Sequence, residues 1–241
     1  MQHNLKYRRA LLKLSGEALA GAKGNGIDFS IAEAIGAQVK ACLAAGAQLG
    51  VVVGGGNFWR GRTGGSMDAV RADQMGMLAT VMNAVALADT FAQLGIPTLV
   101  QAALQLPQIA PPVNKAAAVA ALEEGKVVLF GGGTGNPFFT TDSAAALWAV
   151  EIEADVVLKA TNVDGIYDRD PRQHANARLY PTLTHDRILA ERLQVMDATC
   201  ASLCRDHAMP MLLFNLSDPA NILRALRGET IGTLVTVDEV K

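Results

Sequence analysis

Two lysines and an aspartate are the residues best placed to do chemistry. Lys13 and Lys159 each close an apolar run and are followed by small-residue turns, Leu14-Ser15-Gly16 and Ala160-Thr161-Asn162. Asp142 ends the stretch Gly131-Gly132-Gly133-Thr134-Gly135-Asn136-Pro137-Phe138-Phe139-Thr140-Thr141-Asp142, which follows the apolar Val127 to Phe130. A glycine-dense turn between a buried strand and a helix lets the backbone approach a ligand, and the helix start presents unpaired N–H groups to an anion. Thr140, Thr141 and Asp142 stand where helix caps belong, ahead of the Ala-rich Ser143 to Val150. A lysine just beyond a strand ordinarily faces solvent. Two of them, each beside such a turn, point to phosphate contact. With Gly54-Gly55-Gly56-Asn57 the chain carries four turns of this design.

The elements that must position these residues alternate between strand and helix. Strands are expected at Arg9 to Leu14, Gln48 to Val53, Thr98 to Gln101, Val127 to Phe130, Val156 to Lys159, Leu212 to Phe214 and Leu234-Val235. Helices are expected at Phe29 to Leu43, Asp73 to Leu94, Ala116 to Glu124, Ser143 to Ile152 and Pro219 to Arg227. The helical period over Asp73 to Leu94 is carried by Met75, Leu78, Met82, Val85 and Leu87. This alternation predicts a three-layer αβα sandwich, a mostly parallel central sheet with helices on both faces. All four turns follow strand C-termini, so they are expected to converge on one edge, where such sheets bind ligands. With 241 residues and no low-complexity linker, one domain over 1–241 is the simplest reading.

Composition excludes several classes. The formal net charge of -2 offers no electrostatic reason to bind nucleic acid or an anionic membrane. No apolar run reaches transmembrane length, and Lys13 interrupts the short apolar stretch near the N-terminus too early for a signal peptide. Cys42, Cys200 and Cys204 lack metal-ligand clustering and read as small core residues of a reducing, cytoplasmic setting. His3, His174, His185 and His207 are scattered, and none is placed as a ligand. The chain has no G-x-x-x-x-G-K-[ST] and no G-x-G-x-x-G at a strand-to-helix turn, which removes a Walker-type loop and a dinucleotide site.

Five stretches together resemble the bacterial uridylate kinases of the amino acid kinase superfamily. They are Lys13 to Glu17, Gly54 to Asn57 with Arg60-Gly61, Asp73 to Ala79, Gly133 to Asp142 and Lys159 to Gly165. The Gly135 to Asp142 run separates that family from the aspartate, glutamate and carbamate kinases of the superfamily. The resemblance implies transfer of the ATP γ-phosphate to UMP with Mg²⁺. A nucleoside monophosphate has a second pKa near ~6, so its attacking oxygen is largely deprotonated at neutral pH. Such a reaction needs in-line positioning and positive charge rather than a general base.

By this resemblance Lys13, Lys159 and Asp142 are the catalytic residues, with Asp142 either holding the lysines or helping to bind Mg²⁺ while also suiting a helix cap. Lys13, Leu14, Ser15, Gly16, Gly56, Arg60, Thr161, Asn162, Tyr167 and Asp170 would hold ATP. Gly55, Asp73, Thr134, Gly135, Asn136, Pro137, Phe138, Phe139, Thr140 and Thr141 would hold UMP. Asp73 is equally ordinary as an acidic residue in a first helical turn. Tyr167, Phe138 and Phe139 could pack rather than bind. The loop Gly21, Ala22, Lys23, Gly24, Asn25, Gly26 matches the place where relatives bind an activating GTP within a homohexamer, and it reads equally as a flexible connector. UTP is the implied inhibitor. Gln108 to Ala116 lacks the Tyr and Arg common in relatives, and Trp148 replaces a common Arg. Both are expected to lie off the phosphate turns and to bear on regulation or subunit contacts. A carboxylate or carbamate kinase of the same superfamily, or a non-catalytic nucleotide-binding regulator, are the competing readings.

Overall fold

A computed structural model describes residues 5–60, 66–171, 173–174, 176–193 and 195–238. Gly61 and His3 lie outside the described residues. The strands are β1 (Arg9–Leu14), β2 (Gln48–Val53), β3 (Thr98–Ala102), β4 (Val127–Gly131), β5 (Val156–Thr161), β6 (Thr182–Thr184), β7 (Met211–Asn215) and β8 (Thr233–Thr236). The helices are α1 (Gly16–Ala20), α2 (Phe29–Ala44), α3 (Ala69–Gln93), α4 (Lys115–Glu123), α5 (Thr141–Glu151), α6 (His185–Ala190), α7 (Ala198–Asp206) and α8 (Asn221–Leu226). One eight-stranded sheet runs in the order β3-β4-β2-β1-β5-β7-β8-β6, and only the β7–β8 pairing is antiparallel among these elements. The four strands that end in the informative turns, β4, β2, β1 and β5, are consecutive in this order and parallel, so their C-termini share one edge.

Alternation along the central strands divides the core. Leu12 and Leu14 of β1 join Ile35 and Val39 of α2, Leu87 and Phe91 of α3 and Ile222 of α8 on one face. Leu11, between them in sequence, faces Ala145 and Ala149 of α5 with Cys200 and Cys204 of α7 on the other. Period-two strands buried on both faces therefore read as continuous apolar runs.

Three features depart from the sequence expectation. Helix α3 begins at Ala69, capped by Asp68, whose side chain accepts from Arg71 N at 3.1 Å. Met75, Leu78, Met82 and Val85 have the helical period but lie exposed, while Met77, Val81, Ala84, Leu87 and Phe91 are buried. The helix is apolar on both sides, so its period could not say which stripe meets the sheet. By length and composition α3 is also long and apolar enough to cross a membrane, although half of that stretch is buried inside the protein. Finally, α1, β6 and α6 are not expected from the sequence, because they span five, three and six residues, too few for a period to register.

His185, at the start of α6, is fully buried, with Nε2 3.0 Å from Met209 O and Nδ1 without a hydrogen-bond partner among the described residues. Burial holds its pKa below the ordinary 6.5. The folded state therefore binds the proton less readily than the unfolded chain, and the stabilisation is complete above about pH 6.5 and lost as pH falls below it. Urea unfolding at pH 7 and pH 5 is expected to show a larger acid-induced loss in the wild-type chain than in His185→Gln. Equal losses would remove His185 as the cause.

Candidate active site

Lys13 and Lys159 lie within their strands, inside the ranges expected from the sequence, as register partners on the adjacent parallel strands β1 and β5. Both occupy the alternation that faces the α5 layer, because Leu11 and Val157, two residues earlier, pack on that side. Two ammonium groups side by side repel unless an anion joins them. Asp142, in the first turn of α5, supplies it: Oδ1 lies 2.9 Å from Lys13 Nζ and Oδ2 lies 2.5 Å from Lys159 Nζ. Burial alone would push the Asp142 carboxyl up, but the two lysine charges and their hydrogen bonds outweigh it and hold it below the usual carboxylate range.

The two lysines are tied differently. Lys159 donates to Asp142 and to the Val195 carbonyl and is 8 % exposed. Lys13 lines a polar cavity of about 470 Å³ with Ser15, Glu17, Arg60, Thr161 and Asn162. The shared Asp142 carboxylate joins this cavity lysine to the more buried Lys159. Among the described residues no group of three or more His, Cys, Asp or Glu is placed to hold a metal; Asp142 Oδ2 accepts a hydrogen bond from Lys159, and Oδ1 is in ion-pair contact with Lys13. Asp142 thus contacts both ammonium groups at once.

Close backbone approach assembles the turns around the cavity. A Cβ on Gly16 would sit 2.3 Å from Gly54 O, and one on Gly55 would sit 2.7 Å from Gly76 O, so neither position admits a side chain without a shift. Gly21 and Gly24 of the loop singled out by sequence also line the Lys13 cavity. An apolar hollow of about 480 Å³, lined in part by Ile31, Ile35 and Leu216, shares Ala18, Thr161 and Asn162 with it. Tyr167 and Asp170 are elsewhere, in a separate hollow of about 440 Å³ with Arg169 and Arg192. The Tyr167 hydroxyl donates to Asp164 at 3.2 Å.

The loop from Gly131 to Thr140 is anchored at several points. Gly132 N donates to Thr80 Oγ1 at 2.8 Å, and Phe138 N donates to Asp73 Oδ2 at 2.7 Å. Asp73 thus sits beyond the first turn of α3, within reach of the loop. Phe138 adopts φ 72° and is 74 % exposed, a backbone region unfavourable for a bulky residue. Thr140 caps α5 by accepting from Asp142 N, and its hydroxyl donates to Asp197, which also accepts from Ser143 Oγ at 2.8 Å and caps α7 through Cys200 N at 2.9 Å. One carboxylate therefore joins the starts of two helices. Sequence reasoning missed Asp197 and Val195. An Asp immediately before a helical run, as in Asp197-Ala198-Thr199-Cys200, was the signal available.

Trp148 corrects an expectation. Rather than lying off the phosphate turns, it is buried, stacks on Phe130 at 5.7 Å and donates from Nε1 to Gly133 O at 3.1 Å. Trp148→Phe should keep the stack and strand the Gly133 carbonyl, costing about 1–3 kcal/mol of stability. Thermal unfolding of the variant checks this, and an unchanged midpoint would show that the carbonyl finds water. The Gln108 to Ala116 stretch packs beside β3, with Ala102 N donating to Pro111 O at 2.9 Å.

A parallel sheet with glycine turns on consecutive strand ends, over a lysine pair bridged by one carboxylate, defines a phosphoryl-transfer scaffold. The chain belongs to the amino acid kinase family, whose model matches residues 8–215. Among solved structures it is similar to the UMP kinase of Bacillus anthracis, at 34 % identity over 97 % of each chain with a TM-score of 0.93. The UMP kinase of Ureaplasma parvum is 34 % identical over 96 % of this chain and 100 % of its own, with a TM-score of 0.90. The uridylate kinase of Archaeoglobus fulgidus is 28 % identical over 94 % and 99 %, with a TM-score of 0.70.

Proposed function

We propose that this chain transfers the γ-phosphate of ATP to UMP, giving UDP and ADP. The observation that carries this reading is the similarity to UMP kinases along nearly the whole chain. Lys13 meets the transferring phosphoryl group, Lys159 raises the positive potential behind it, and Asp142 keeps both ammonium groups in place. ATP enters as its Mg²⁺ complex. Its phosphates meet Lys13, Ser15 and Arg60 in the cavity that Thr161 and Asn162 also line, with the backbone of Leu14, Gly16 and Gly56 in the flanking turns, while Tyr167 and Asp170 stand in the separate hollow after β5. UMP takes the opposite side, against Gly55, Asp73 and the Thr134 to Thr141 loop. The acceptor phosphate brings its own deprotonated oxygen, so no side chain is asked to remove a proton.

The chain functions as one cytoplasmic kinase domain, in keeping with three buried free thiols. Self-association, into the homohexamer that the resemblance implies, is supported by the exposed stripe Met75, Leu78, Met82 and Val85 on α3. GTP activation and UTP inhibition complete the proposal. The test is ADP release with ATP and Mg²⁺, offering UMP, CMP, AMP, GMP, aspartate, glutamate and carbamate in parallel, with GTP or UTP added to the productive pair. Turnover confined to UMP is expected. Turnover on a carboxylate or carbamate would keep the fold and replace the substrate, and ATP binding without any turnover would replace the enzyme with a regulator. Sedimentation of the same sample reads the assembly.

A further inference from the structure

Two asparagines that no chemistry so far has used form a closed network beneath the donor side of the site. Asn57, in the turn after β2, and Asn83, on α3, are 2 % and 0 % exposed. Asn57 Nδ2 donates to Asn83 Oδ1 at 2.9 Å, and Asn83 Nδ2 donates back to Asn57 Oδ1 at 2.8 Å. The second proton of each amide goes to a backbone carbonyl, Asn57 to Gly26 O and Asn83 to Gly54 O, both at 2.8 Å. Because carbonyls only accept, these two contacts fix which amide atom is nitrogen in each side chain. All four amide protons are thereby used. A buried polar network so completed is rigid, and a partly satisfied one is costly.

What the network joins is informative. Asn57 also clamps Gly26 through the backbone, with Gly26 N donating to Asn57 O at 3.0 Å. Its Oδ1 lies where a side chain on Gly16 would be, 2.6 Å from an added Cβ. Asn83 holds Gly54, which packs on Gly16 from the other side. The pair therefore sets the spacing among the turn after β1, the turn after β2 and the Gly21 to Gly26 loop. Those three pieces contribute Ser15, Arg60, and Gly21 with Gly24 to the cavity that contains Lys13. The loop after β4, on the acceptor side, receives no bond from either asparagine among the described residues.

We infer that Asn57 and Asn83 are positioning residues for the phosphate donor, and that the Gly21 to Gly26 loop is a wall of the donor cavity held in place by them. This rests on the kinase reading for its site but not on the identity of the acceptor. Asn83→Asp keeps the shape and replaces two donors by acceptors facing Gly54 O and Asn57 Oδ1. Gly26→Ala leaves both asparagines and perturbs only the clamped end of the loop, where φ is 72° and an added Cβ meets open space.

The measurement is calorimetric titration of each variant with ATP–Mg²⁺ and, separately, with UMP. Both variants are expected to weaken ATP–Mg²⁺ binding by at least about tenfold, with UMP binding within about twofold of wild type. A merely structural role would weaken both ligands together or neither, and either pattern overturns the proposal. If Asn83→Asp does not fold, Gly26→Ala decides alone, and unchanged ATP–Mg²⁺ binding in it overturns the role of the loop. If the wild-type chain binds ATP–Mg²⁺ but not UMP, the acceptor assignment fails. The donor titrations and the affinity of another acceptor still judge the asparagines.

Discussion

Lys13→Ala is expected to lower kcat by about 10²–10³-fold, the usual effect of removing one preorganised group from a developing oxyanion. Its ammonium is the one of the pair that faces the cavity, while Lys159 is spent on Asp142 and the Val195 carbonyl. The fold should survive, because Asp142 keeps its 2.5 Å contact with Lys159 and does not become an unpaired buried charge. Lys13→Arg should recover little, since a planar guanidinium cannot present a compact point charge at the position where Asp142 holds the ammonium. Steady-state kinetics with ATP and UMP check this. A kcat within about threefold of wild type would remove Lys13 from the transfer step.

Asp142→Ala is expected to damage stability and activity together. It leaves two lysines, 13 % and 9 % exposed in their side chains, side by side in register with no counter-charge. Removing one partner of a buried ion pair typically costs about 3–5 kcal/mol. For a chain of this size that corresponds to a fall in Tm of roughly 6–20 °C. The pH dependence separates this cause from lost packing. The folded-state pKa of Asp142 is lowered, so its contribution is complete above the ordinary carboxylate value of about 3.9 and disappears as pH falls through the folded value. Wild type should therefore lose its advantage over Asp142→Asn on acidification below that value, and the gap between them should narrow. A constant gap from pH 7 to pH 3 would assign the loss to shape.

The six strands of the parallel core, β3, β4, β2, β1, β5 and β7, were legible because buried parallel strands are largely apolar runs bounded by turn residues. Gln48 to Val53 and Arg9 to Leu14 match their elements residue for residue. The convergence of four turns on one edge was equally legible, since strand C-termini in a parallel sheet share an edge. The buried side of α3 was not, because apolar residues line both of its faces and only the sheet selects one. Trp148 was misplaced for a related reason: no local pattern tells a helix residue which turn across the layer its indole will meet.

By itself, the sequence determined the fold class, the turns and the three charged residues, because these depend on residue type and on spacing within a single segment. Only the tertiary structure decided their relations. It placed Lys13 and Lys159 in register, put Asp142 between them, hung α5 and α7 from Asp197, and closed the Asn57–Asn83 pair between Gly26 and Gly54. Each of these joins side chains from different segments, and the hydrogen-bond or charge partner of a buried group is set by which strands and helices become neighbours, which no single stretch of chain encodes.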